Sequence, residues 1–98
     1  MELDGTLTAL GDPTRRSHVT RLATGPATSG ELAALVPVSR PSSTQHLQVL
    51  AAAGLVRSRW RGREHWHELE AGPLVQAAGW LAELARRAAV APTLDDAH

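Results

Sequence analysis

The chain has 98 residues, no cysteine, and ten basic residues balanced by ten acids, for a formal net charge of +0. That length is one domain, the missing thiols exclude a disulfide framework and every thiolate metal site, and no apolar run approaches the roughly 18 residues of a membrane span. The opening MELDGTLTAL carries acids where a secretory signal carries bases, so the expectation is a soluble cytoplasmic protein.

Leu3, Leu7 and Leu10 recur at helical spacing and predict a short first helix over 3–10, weakened by Gly5. Asp12-Pro13 is a helix start, an acceptor for the N-cap followed by a proline where no N–H is needed. This second helix runs to about Ala23 and stops at Gly25-Pro26. Thr28 and Glu31 have the spacing of a capping box and open a short helix through Leu35, broken by Val36-Pro37-Val38. Ser39 caps the next helix, Pro41 falls in its first turn, and the run continues to Ala53. Gly54 then supplies the left-handed position and Leu55 the apolar residue after it. Two short helices joined by a tight turn, over about 28–53, make a helix-turn-helix candidate.

After Gly54 the period alternates, and LVRSRW, RGR and EHWHEL read as two strands around a glycine turn, over about 55–69. With Arg61-Gly62-Arg63 as the loop, Leu55 pairs with Leu69, Arg57 with His67 and Arg59 with His65 on one face. Ser58, Trp60 and Trp66 then lie on the other; a two-residue loop would shift this register. Pro73 opens a last helix over about 73–91, with Leu74, Ala77, Ala78, Leu81, Leu84 and Ala88 on one stripe. The tail APTLDDAH is expected to fray.

The balanced charge hides a segregation. Residues 1–14 hold Glu2, Asp4 and Asp12 and no base, residues 15–63 hold eight arginines against Glu31 alone, and residues 64–98 hold six acids against Arg86 and Arg87. A basic middle between acidic ends points to a polyanionic partner for that middle. On a helical wheel of residues 40–54, Leu47, Leu50 and Ala51 cluster on one side, with Pro41, Ser42, Gln45 and Gln48 opposite. Glutamine bonds adenine bidentately, arginine forks onto guanine, and small hydroxyls serve several base edges or phosphates. A solvated helix face is the plainer reading of such residues alone. The basic hairpin that follows, with Arg57, Arg59, Arg61 and Arg63, favours DNA, because guanidinium groups laid along the backbone neutralise phosphate.

DPTRR, followed by SGELAALVPVSRPSSTQHLQVLAAAGLVRSRWRGREHWHEL, resembles the ArsR/SmtB family of winged-helix repressors over roughly residues 4–90, most specifically from Glu31 to Val56. The resemblance implies a mainly α (α+β) winged helix-turn-helix fold, one domain over 1–98, with five helices and a two-stranded β-wing: four helices, two strands, one helix. It implies a homodimer built from the first and last helices, binding double-stranded operator DNA of inverted-repeat form. It places Ser39, Arg40, Ser42, Ser43, Thr44, Gln45 and His46 on the recognition helix, and Arg59, Arg61, Gly62 and Arg63 on the wing. Four positions depart from the family pattern. Ser43 stands where a β-branched apolar residue is usual, so the helix packs less tightly or Ser43 is recruited to DNA. His18 and Arg21 replace aliphatics, and His67 replaces a common tyrosine. For a half-buried His18 the plain reading is a hydrogen-bond partner, the sharper one a pH or ligand sensor.

The family's cysteine metal site has no thiols here, and its last-helix site finds no histidine in the last helix. Asp96-Ala97-His98 has part of that spacing but falls beyond Pro92. His65 and His67 share a strand face, with Glu68 pointing away, and are half of a tetrahedral set. No metal ligand and no cofactor is therefore assigned, and the signal is left to a small-molecule effector, a partner protein, or none. No residues pair a nucleophile with a base, and no glycine-rich phosphate loop appears, which argues against an enzyme. Two alternatives stay open. One is a winged-helix protein-interaction module acting with a partner regulator, kept alive by Trp60 and Trp66, whose plainer reading is hairpin packing. The other is a histidine-based metal-responsive repressor.

Overall fold

The computed structural model describes residues 3–95, so Asp96-Ala97-His98 and the end of the tail lie outside the described residues. α1 (Leu3–Ala9) leads into α2 (Pro13–Leu22), whose N-cap Asp12 accepts a hydrogen bond from the Arg15 amide at 3.0 Å. A two-residue strand, β1 (Ala27–Thr28), precedes α3 (Ser29–Ala33), and Thr28 and Glu31 close a full capping box at the start of that helix. Ser39 caps α4 (Arg40–Ala52) by accepting from the Ser42 amide at 3.2 Å. Each of these caps satisfies an amide that the helix itself leaves without a partner. Gly54 takes φ 76° at the end of α4 and turns the chain so that Leu55 is fully buried. α5 (Ala71–Val90) begins two residues before Pro73, which sits in the first turn, where its missing N–H is harmless.

The hairpin of β2 (Val56–Arg61) and β3 (Glu64–Leu69) corrects the expected register. Its loop is Gly62-Arg63, with Gly62 at φ 63°, the position for which a type II′ turn selects glycine. Val56 therefore faces Leu69, Arg57 faces Glu68, Ser58 faces His67, Arg59 faces Trp66, Trp60 faces His65 and Arg61 faces Glu64. The expected pairs Leu55–Leu69, Arg57–His67 and Arg59–His65 are one residue out, and a slip of one exchanges faces on the shifted strand. Ser58 and Trp60 share a face with His65 and His67, while Arg57, Arg59 and Arg61 share the other with Trp66 and Glu68. β1 adds a third strand, with Ala27 opposite His67 and Thr28 opposite Trp66, giving the order β1-β3-β2.

The core is formed by Ala9, Leu22, Ala27, Leu32, Leu47, Leu50, Leu55 and Val56, one small cluster under the helix-turn-helix and the root of the hairpin. α5 packs along α1 and buries only Ala77 among its own residues, leaving Val75, Trp80, Leu81 and Leu84 exposed. The chain measures 63 × 26 × 22 Å, and its radius of gyration is 17.0 Å. A compact domain of this length has about 13 Å. No helix among the described residues is long and apolar enough to cross a membrane.

Candidate nucleic-acid interface

α4 presents Ser39, Arg40, Thr44, Gln45 and Gln48 to solvent, with Ser42 half-buried. Ser43 does not belong to that face. It is buried, and its hydroxyl lies 3.1 Å from Nε2 of His18, which is itself fully buried on α2. Its position explains this: Ser43 stands four residues before Leu47 and seven before Leu50, on the inner helical stripe. Ala51, expected on that stripe, is exposed. Nδ1 of His18 has no partner among the described residues. Burial pushes the pKa of His18 down, and the nearby His46 adds to the shift.

His46 is half-buried at the back edge of the face. Its Nδ1 lies 3.1 Å from Arg15 Nη1 and 3.6 Å from the Asp12 carboxylate. Arginine only donates, so Nδ1 accepts from Arg15, and the longer approach to Asp12 is not a hydrogen bond. The Arg15 amide holds the Asp12 carboxyl below the usual carboxylate range.

The eight arginines of residues 15–63 divide into two sets of four. Arg15 donates to the Ala9 and Thr8 carbonyls, Arg16 to Leu10, and Arg21 to Gly25 and Thr24. Arg57 bonds Glu68 at 2.8 Å and lies 3.2 Å from Glu70, and these carboxylates raise its pKa. Arg40, Arg59, Arg61 and Arg63 are exposed and make no ion pair among the described residues. These are the four arginines that the family resemblance placed on the recognition helix and wing, whereas Arg57, which the sequence reading also counted in the basic hairpin, is held by Glu68 and Glu70. Arg59 and Arg61 lie on one face of the hairpin beside Trp66. Arg63 and Arg40 meet on the other side, in a cleft of about 460 Å³ between the start of α4 and the wing.

The hairpin is fixed to the helices by His67, which is buried. Its Nε2 lies 2.7 Å from the Ser29 hydroxyl of α3 and its Nδ1 2.6 Å from the Ser58 hydroxyl of β2. Burial, with His65 alongside, pushes its pKa down to about 4. Although the His65 and His67 ring centroids are 4.6 Å apart, a metal at His67 would have to displace one of the two serines. The sequence reading missed this tie, and the signal for it was present: a histidine at a tyrosine position needs two partners instead of one. The second missed feature is the Trp60–His65 pair, stacked at 4.4 Å with planes 2° apart. Only the true register brings those two rings opposite each other.

A family model described as a helix-turn-helix domain matches residues 10–59. Among characterised proteins, the chain is 52% identical over 62 residues to the HTH-type transcriptional regulator Rv2034 of Mycobacterium tuberculosis, a match covering 63% of this chain and 58% of that protein. It is 30% identical over 73 residues to the transcriptional repressor SdpR of Bacillus subtilis, covering 74% of this chain and 81% of SdpR. A crystal structure of an ArsR family transcriptional regulator superposes with a TM-score of 0.81 at 37% identity, covering 88% of this chain and 94% of the other. With its capped helix pair, its hairpin wing and these matches, the chain belongs to the ArsR/SmtB-type helix-turn-helix family, whose members are transcriptional regulators and not enzymes.

Proposed function

We propose that this protein is a cytoplasmic repressor that binds double-stranded operator DNA as a homodimer, with α4 in the major groove and the β2–β3 hairpin along the adjoining backbone. The observation that carries this reading is the division of the arginines. Arg15, Arg16, Arg21 and Arg57 are engaged inside the fold, whereas Arg40 and Arg63, without an ion pair among the described residues, border the cleft beside the exposed Thr44, and Arg59 and Arg61, equally free, stand on the other face of the wing. Guanidinium groups kept free of carboxylates are available to replace counterions on phosphate, which is the main source of affinity for duplex DNA. Exposed amides on the same helix offer the paired donor and acceptor that adenine requires. A two-fold dimer implies an inverted repeat, and the signal, where there is one, is a small-molecule effector or a partner protein.

Selection from a randomised duplex pool tests this. The expected product is an imperfect inverted repeat, and a pool that enriches no sequence overturns the reading. On the selected site, Gln45→Ala should relax preference at one position per half-site, by about 1–3 kcal/mol. Arg61→Ala should weaken all duplexes alike and flatten the dependence of log K on log salt by about one unit per contact. The reverse pattern would exchange the roles assigned to helix and wing.

A further inference from the structure

We propose that the cleft between the start of α4 and the wing seats a DNA backbone strand, with Trp60 packing its exposed ring on the deoxyribose while Arg40 and Arg63 hold the flanking phosphates. The inference rests on the duplex-binding reading above and deepens it. A helix in the major groove and a hairpin laid along the adjoining backbone enclose the sugar–phosphate strand that borders that groove. Whatever lines the cleft between the two elements therefore faces sugar and phosphate, not base edges.

The lining suits that ligand. Arg40, Thr44, Trp60, Arg63 and His65 surround the cleft, and Glu64 is the carboxylate that borders it. Arg40 reaches into it: a Cβ added at Gly30 would stand 3.1 Å from Arg40 Nη2, so the guanidinium lies back over the first turn of α3. Trp60 is the unusual member. It remains 65% exposed and takes no part in the core. Its ring is nevertheless held in one orientation by the parallel imidazole of His65 across the strand pair. An indole that is oriented but not buried presents apolar surface with little rotamer freedom left to lose on contact, as in the aromatic platforms of nucleic-acid proteins. Sugar packing adds affinity without removing a counterion, which separates its signature from that of arginine.

The test uses the full chain and a mixed-sequence duplex of about 30 base pairs at low salt, where backbone contacts dominate. Binding is followed by the anisotropy of labelled DNA and by tryptophan emission. Trp60→Ala should weaken binding by about five- to thirtyfold, the range expected for losing one aromatic platform, with the salt slope unchanged. Trp60→Phe should stay within about threefold, since a ring is retained. Arg63→Gln should lower the slope by about one unit. The duplex should quench wild-type tryptophan emission, and Trp60→Phe should abolish that change. Should Trp60→Ala fail to fold, the wild-type quench and its loss in Trp60→Phe decide alone. Unaltered affinity in a folded Trp60→Ala, or a quench that persists in Trp60→Phe, overturns the proposal and returns Trp60 to hairpin packing or to a protein partner. A wild-type chain that binds no duplex overturns the operator reading itself, and this one with it.

Discussion

His67 sits between two serines because an unprotonated imidazole carries one donor and one acceptor, and a hydroxyl serves as either. Burial keeps the folded ring unprotonated down to about pH 4, whereas the unfolded chain takes up the proton near the ordinary value of about 6.5. Between those values the unfolded state binds more protons. Stability therefore falls as pH drops from about 6.5 towards 4 and levels off below, a change of at most about 3 kcal/mol. Buried His18, also lowered by desolvation, acts in the same direction. Thermal melts across this window should show a falling midpoint, with a flatter profile in His67→Gln; an unchanged profile would refute the assignment. The His18–Ser43 pair gives a second test. Ser43→Ala leaves both ring nitrogens of His18 without partners and should cost about 1–3 kcal/mol in urea unfolding. The double change His18→Leu, Ser43→Val removes both polar groups and should recover most of that loss, and a loss that simply adds would contradict the pairing. Ser43 was misread from the sequence because its hydroxyl resembled a base-reading group. Its spacing from Leu47 and Leu50 carried the correct answer.

At the scale of elements, legibility follows locality. The starts of α2, α3 and α4 could be read because Asp12-Pro13, Thr28 with Glu31, and Ser39 each settle a cap within four residues. The hairpin register could not, since RGR serves as a two- or three-residue loop and either choice preserves the alternation. β1 left no pattern at all: two residues have no period, and that strand exists only through Ala27 and Thr28 pairing with β3. The site divides in the same way. The basic residues were visible, but which of them stay free depends on the Ala9, Leu10 and Gly25 carbonyls and on Glu68, contacts that exist only after folding. The apolar stripe of α5 is local again, and it yields the prediction for assembly. Leu81 is 50% and Leu84 42% exposed in one protomer. In the proposed dimer they meet across the two-fold axis, so Leu81→Asp with Leu84→Asp should shift sedimentation from dimer to monomer and weaken operator binding at least tenfold (one decade is about 1.4 kcal/mol). A wild-type monomer that binds DNA normally would sink this arrangement.

At the scale of the molecule, the long axis of 63 Å belongs to a chain whose twenty-residue last helix buries one side chain of its own. Most helical stability in a protein comes from packing an apolar face and not from propensity. In the dimeric reading the missing cover is a second copy, so part of the protomer's stability is supplied by mass action and rises with protein concentration. Below the dimer dissociation constant, the concentration of DNA-competent species grows as the square of the total chain. Operator occupancy then responds to protein level as a threshold and not in proportion. In that reading the amount of protein in the cell becomes a control in its own right, because so little of α5 is covered within a single chain.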